Sequence, residues 1–170
     1  MKRTLLIAAL TCALAVSGRA QTKPSPGPTL PSPPAPSGVI GDIPGRNAIS
    51  LDGQWHSIVD PSDSGDNAHY ERDQKPKDKS DRVEYSFDSS PALQVPGDWN
   101  SQRPELMFYE GLVWYRRLFS CHKSPDTRVF LYFGGANYQT RVFLNGTKVG
   151  EHAGGFTPFN FEVTNILNDG

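Results

Sequence analysis

Asp98-Trp99-Asn100 sets a carboxylate, an indole and a carboxamide side by side. A sugar presents an apolar C–H face and a ring of hydroxyls, so a site that binds one wants an aromatic surface beside a carboxylate or an amide. These three residues are the candidate binding residues of the chain. The competing arrangement is a loop in which Asp98 caps backbone amides and Trp99 packs inward, and the residue types alone leave the two balanced. Hydrolysis is the next chemistry to weigh. Asp98, Glu105, Glu110, Glu151 and Glu162 supply carboxylates, but a working pair needs a closed, positioned site. Glu162 alternates with Phe161 and Val163 on an expected strand and should face solvent, and the others stand among turn residues. No catalytic residue is assigned.

Metal and phosphate chemistry find less support. His56, His69, His122 and His152 lack metal-ligand spacing, and Cys121, the one cysteine in their stretch of the chain, does not help them. No glycine-rich phosphate loop is present, so neither metal nor cofactor is expected. Gly134-Gly135 and Gly154-Gly155 read as bends where backbone passes close to backbone. With 17 Lys and Arg against 18 Asp and Glu, interspersed along the chain, there is no electrostatic footprint for nucleic acid or for an anionic membrane.

The elements that must position these residues are short. From Ile49 onward, apolar runs alternate with turn residues and no long stretch has helical periodicity. Expected strands are Gln54–Val59, Arg82–Phe87, Leu93–Val95, Leu112–Phe119, Arg128–Phe133, Tyr138–Leu144, Thr147–Glu151 and Phe159–Val163. Period-two alternation, as in Val83/Tyr85/Phe87 and Phe159/Phe161/Val163, marks half-buried antiparallel strands. Trp55, Trp114, Tyr115, Phe130, Phe143, Phe159 and Phe161 are expected in the core. Asp60 to Asp81, polar and broken by Pro61 and Pro76, reads as a long surface loop. Asn145-Gly146 suits a type I′ turn, which needs positive φ at both central residues. The same residues with Thr147 form a glycosylation sequon, but the turn alone explains them.

The N-terminus has another texture. Lys2 and Arg3 precede an apolar run, Leu5 to Val16, that ends in Ser17-Gly18-Arg19-Ala20. The run is too short to span a bilayer and has the organisation of a secretory signal peptide, residues 1–20, cut after Ala20. An uncleaved anchor is the rival. Lipid attachment at Cys12 is disfavoured, because Leu10 and Thr11 suit such a site poorly. Removal leaves Cys121 as the only thiol, so core burial rather than a disulfide must hold the domain together. Residues 21–48, with the run TKPSPGPTLPSPPAPSG, form a proline-rich linker of extended character. The folded domain is expected over residues 49–170, in the periplasm or outside the cell.

Further blocks follow in order. Ile49-Ser50-Leu51-Asp52-Gly53-Gln54-Trp55 is followed by Val95-Pro96-Gly97-Asp98-Trp99-Asn100 and by Tyr109-Glu110-Gly111-Leu112-Val113-Trp114-Tyr115-Arg116-Arg117-Leu118-Phe119. Then come Phe133-Gly134-Gly135-Ala136-Asn137-Tyr138, Leu144-Asn145-Gly146, Val149-Gly150-Glu151-His152 and Gly154-Gly155-Phe156-Thr157-Pro158-Phe159. This series resembles the N-terminal sugar-binding domain of glycoside hydrolase family 2, which includes β-galactosidases, β-glucuronidases and β-mannosidases. The resemblance implies an all-β, jelly-roll-like antiparallel sandwich of the galactose-binding-domain type, incomplete at its C-terminal end. It implies an immunoglobulin-like domain and a catalytic (β/α)₈ barrel downstream as partners in the same polypeptide. It also implies a retaining mechanism with two glutamates about 5–5.5 Å apart on that barrel, and a β-glycoside as substrate. In some members a polar residue at the place of Asp98 contacts the nonreducing-end sugar. Two classes of function stay open: a domain of an exported β-glycosidase, and a stand-alone exported carbohydrate-binding or adhesion module. Self-association is compatible with either.

Overall fold

The computed structural model describes residues 4–11, 46–75, 78, 80 and 85–168. Most of the proline-rich linker lies outside them. Among the described residues there are eight strands: β1 (Thr4–Thr11), β2 (Gly53–Asp60), β3 (Ala92–Val95), β4 (Leu112–Phe119), β5 (Phe130–Phe133), β6 (Gln139–Leu144), β7 (Thr147–Ala153) and β8 (Phe159–Glu162). They form a six-stranded sheet in the order β3-β2-β4-β1-β6-β7 and a two-stranded sheet, β5-β8. Every pairing is antiparallel. The inner face of the large sheet packs on the small one through Trp55, Val113, Tyr115, Val142 and Leu144 against Leu131, Phe159, Phe161 and Val163. The domain is thus an antiparallel β-sandwich, as the strand pattern implies.

Gly150 lets the sheets approach. The β6–β7 register shifts between Val142 and Phe143, opposite Gly150 and Lys148, and a Cβ on Gly150 would overlap the Phe161 ring. Glycine inside a strand often marks such a bulge or close approach. Gly150→Ala should therefore cost about 1–3 kcal/mol through overpacking, read as a lower urea midpoint at unchanged slope. The turn between β6 and β7 has φ of 51° at Asn145 and 78° at Gly146, the two positive values that a type I′ hairpin requires.

Three features depart from the sequence reading. The first is the long loop after β2. Its segment from Asp60 is not merely solvated: Tyr70, Glu71 and Phe87 are buried, and a second cluster joins Ile58, Tyr70, Phe87, Leu112, Trp114 and Phe143 on the outer face of the large sheet. Tyr70 meets Trp114 edge to face at 5.6 Å. Arg116, only 4% exposed, donates to Asp73 and lies 2.8 Å from Asp88. Polar composition hid a cover from which Tyr70 and Phe87 point inward. Consequently β4 is buried on both faces from Leu112 to Arg116.

Second, no strand forms over the described part of Arg82–Phe87. Residues 82–84 lie outside the described set, and Ser86 to Ser90 form consecutive turns, with Ser89 N–H donating to Ser86 O and Ser90 N–H to Phe87 O. Serine hydroxyls that bond nearby backbone compete with a ladder, and Phe87 is buried from a turn instead. Third, Thr4–Thr11, which the sequence sets apart from the folded domain, is a strand inside the large sheet. It holds no proline or glycine to oppose extension.

Candidate functional site

Val95 pairs with Gly53 at one end of β2, whereas Leu112 pairs with Asp60 at the other. The chain from Pro96 to Gly111 must therefore cross the sheet's length, and Asp98-Trp99-Asn100 begins that crossing. Asp98 is the N-cap of a single-turn helix, α1 (Trp99–Gln102). Its Oδ1 accepts from Ser101 N–H at 2.7 Å and its Oδ2 from Ser101 Oγ–H at 2.8 Å. Those bonds, the hydroxyl first and then the amide, hold the carboxyl below its ordinary pKa. An N-cap carboxylate satisfies amides that the helix leaves without partners.

Trp99 is 6% exposed and belongs to the main core, with its Nε1–H donating to Tyr109 O at 3.3 Å. Its ring faces protein, so it offers no stacking surface here. The Asn100 amide donates to the carbonyls of Leu106 at 2.6 Å and Tyr109 at 3.1 Å. Gln102 accepts from Gln94 N–H and donates to Gln94 O and Asp98 O. The structure brings the three candidate residues together as the organisers of one crossing loop. Asp98 is exposed, Asn100 half-buried and Trp99 buried. The carboxylate also lies near enough to Tyr115 that its charge, after burial, pushes that phenol's pKa up.

Of the other carboxylates considered for hydrolysis, Glu105, Glu151 and Glu162 are locally paired. Glu105 meets Arg103, Glu151 accepts from Lys148 at 2.9 Å, and Glu162 is bound by Arg128 at 2.6 Å and by Thr164. Glu162 is exposed, as its alternation implies, and is held down to about 2 by Arg128 and then Thr164. A general acid at neutral pH needs the opposite shift, a raised carboxyl pKa. Among the described residues no group of three or more His, Cys, Asp or Glu could hold a metal ion. A depression lined by Gln54, His56, Arg116, Arg117 and Leu118 measures about 200 Å³, below the roughly 300–1,000 Å³ of ordinary ligand pockets.

Two aromatic residues that the sequence reading did not single out are the most exposed large apolar side chains among the described residues. Phe108 is 90% exposed and Phe156 96%, with Met107 and Tyr138 about half exposed. The loop holding Met107 and Phe108 leads into Leu112. Tyr138 precedes β6 and Phe156 follows β7, at the sheet end where Leu112, Gln139 and Ala153 lie. All four therefore border one rim. The available signal was the setting of Phe156 between Gly155 and Thr157-Pro158, where no strand can turn its ring inward.

Residues 98–170 match the family described as "Glycosyl hydrolase 2 galactose-binding domain-like". A β-glucuronidase of Canis lupus familiaris is 33% identical over 137 residues, covering 76% of this chain and 20% of that protein. A β-galactosidase of Thermoanaerobacter pseudethanolicus is 32% identical over 102 residues, covering 56% of this chain and 14% of that protein. Among solved structures, a β-glucuronidase of Faecalibacterium prausnitzii superposes with a TM-score of 0.58 at 28% identity, covering 75% of this chain and 20% of its own. The chain thus spans a fifth or less of the length of these relatives. The antiparallel sandwich, the family match over residues 98–170 and the likeness to these relatives agree, and the chain belongs to glycoside hydrolase family 2, matching its galactose-binding-like N-terminal domain.

Proposed function

We propose that this sandwich serves an exported retaining β-glycosidase of the β-glucuronidase or β-galactosidase type, and that the catalytic glutamates lie on a barrel outside residues 1–170. The observation that carries the reading is the match of both sequence and fold to the N-terminal parts of such enzymes. The local pairing of Glu105, Glu151 and Glu162 agrees with chemistry located elsewhere. Export is supported by Lys2-Arg3, the run from Leu5 to Val16, and Ala20. Reading the gene past Gly170, then assaying the secreted polypeptide on aryl β-glucuronides and β-galactosides, tests the proposal. A stop codon at that point, with no hydrolysis, would favour a stand-alone carbohydrate-binding module. Mature protein that begins at Gln21 by intact mass supports export, and retained Met1 refutes it.

Within that enzyme, Asp98 is proposed to reach a sugar hydroxyl while it caps α1. Its exposed carboxylate has lone pairs beyond the two that Ser101 occupies. Asp98→Ala should lose the cap, about 0.5–2 kcal/mol, and also a charged bond worth about 1.5–3 kcal/mol. The second loss corresponds to a fall in kcat/KM of about 10- to 150-fold. Asp98→Asn separates them, because asparagine caps as well as aspartate. Unchanged melting with reduced kcat/KM in Asp98→Asn supports the contact, whereas unchanged kcat/KM in both variants makes Asp98 a loop-organising residue only.

A further inference from the structure

We propose that Asn145-Gly146 is a self-modification site, where the chain converts its own asparagine to aspartyl and isoaspartyl forms, and that folding holds the reaction off. The chemistry lies in the two residues. The Gly146 main-chain nitrogen attacks Cγ of the Asn145 side chain, the Cγ–Nδ2 bond breaks, and Nδ2 leaves as ammonia with the proton of the attacking nitrogen. The product is a five-membered succinimide. Water then opens that ring at either carbonyl, giving aspartate with the main chain unchanged or isoaspartate with the main chain rerouted through Cγ. Water is the only co-reactant. Asparagine is among the thermolabile residues, and a following glycine presents a nitrogen with no Cβ beside it. Asn145 is the one asparagine of the chain that glycine follows.

Geometry supplies the restraint. Asn145 has φ of 51°, and in the first position of a type I′ turn ψ is positive as well. In that left-handed region Asn145 Cβ and the Gly146 nitrogen stand on opposite sides of the Cα–C bond, whereas ring closure needs them on the same side. Turning the bond pulls apart the Leu144–Thr147 pair that closes the hairpin. The side chain is held too. Its Nδ2–H donates to Ile166 O at 3.0 Å, and that carbonyl belongs to a turn in which Ile166 and Leu167 N–H fold back to Val163 O. Ile166 and Leu167 pack on the main core. The loop after β2 also lies against the tip: a Cβ on Gly146 would stand 3.7 Å from Glu71 O and 3.9 Å from Arg72 Cα. Attack therefore requires the tip to leave its neighbours. The products do not fit what they replace. Isoaspartate adds a methylene to the main chain of a two-residue turn whose flanking residues are paired. Aspartate sets a carboxylate oxygen, an acceptor only, against the Ile166 carbonyl. Either product leaves the hairpin tip detached from the Val163–Leu167 turn.

The test holds the 170-residue chain at mildly alkaline pH, folded in one sample and in urea above its unfolding midpoint in another. Peptide mapping that separates aspartyl from isoaspartyl forms follows Asn145. A synthetic peptide of residues 142–149, with and without urea, gives the rate of the sequence itself. The unfolded chain should convert as fast as the peptide, and the folded chain more slowly by on the order of 100-fold. Asn145→Asp, one product made by substitution, supplies a second measurement. Amide exchange of Ile166 and Leu167 should rise in it by on the order of 10-fold, while Val113 and Tyr115 in the sheet centre stay protected. Conversion of the folded chain at the rate of the peptide would overturn the proposal. So would an Asn145 that stays unconverted in urea, or unchanged exchange at Ile166 and Leu167 in Asn145→Asp.

Discussion

Trp114→Ala should lower the unfolding free energy of the domain by about 3–5 kcal/mol, the range for deleting a large buried aromatic. The indole is fully buried. It stacks on Phe143 with centroids 5.9 Å apart, meets Tyr70 edge to face, and lies under the Arg141 guanidinium at 5.6 Å. A Cβ on Gly65 would strike it, so the loop after β2 sits directly on the ring. Deletion opens a cavity between sheet and loop, and little can collapse into it because β4 is held in ladders on both sides. Trp114→Phe isolates the polar part. It keeps most of the volume but removes the Nε1–H bond to Asp60, for an expected loss of about 1–3 kcal/mol. Urea titration at neutral pH measures both. A loss under about 1 kcal/mol for Trp114→Ala would mean that the loop is not anchored through this ring.

Asp60→Ala should also be damaging, because it leaves buried N–H and O–H donors without their acceptor, at about 1–3 kcal/mol for each one left unsatisfied. The carboxylate is 4% exposed and accepts from Ser64 N–H at 2.9 Å, Gly65 N–H at 2.7 Å, the Ser64 hydroxyl at 3.1 Å and the Trp114 indole at 3.0 Å. Burial alone would raise its pKa. The two amides, then the indole and the hydroxyl, outweigh it, so the net shift is downward. In the unfolded chain an aspartate titrates near 3.9. The unfolded state therefore takes up its proton first as pH falls, and the stabilisation is whole above about pH 4 and fades as pH drops through the folded value. Wild type and Asp60→Ala should differ most at neutral pH and converge in acid. A pH-independent gap would refute the assignment. Asp88, brought to about 2 by Lys75 and then Arg116, loses stabilisation in the same direction, and subtracting the variant's curve removes that common contribution. Because Asp60 and Trp114 touch, their combined loss should be smaller than the sum.

Most of the strand framework was legible in the sequence. Leu112–Phe119 was placed to the residue, and the strands on either side of Asn145-Gly146 to within two residues. Period-two alternation and a turn with forced φ are local signals. What escaped was non-local. Tyr70 and Phe87 stand in polar surroundings and are buried only because the loop folds back over Trp114. Thr4–Thr11 reads equally well as leader or strand, since apolar residues without breakers satisfy both. At Asp98-Trp99-Asn100 the residue types allowed a ligand surface or a capped loop. The structure shows Asp98 capping α1 and Trp99 turned inward, with Trp99 and Asn100 held by carbonyls of Leu106 and Tyr109 several residues away.

The bond from the Asn145 side chain to Ile166 O has a practical consequence for making this protein in yeast or insect cells. Asn145 heads the sequon Asn145-Gly146-Thr147, and N-linked glycan would be attached through the nitrogen that makes this bond. In the folded domain that nitrogen is already engaged and sits in a tight hairpin, so oligosaccharide transfer must occur before the hairpin closes. A glycosylated molecule would carry its sugar where Ile166 and Leu167 must dock. Material from a eukaryotic secretory host should therefore divide into unmodified, well-folded protein and glycosylated, poorly folded protein. Thr147→Val, which abolishes the sequon and leaves the turn residues alone, is the appropriate production variant.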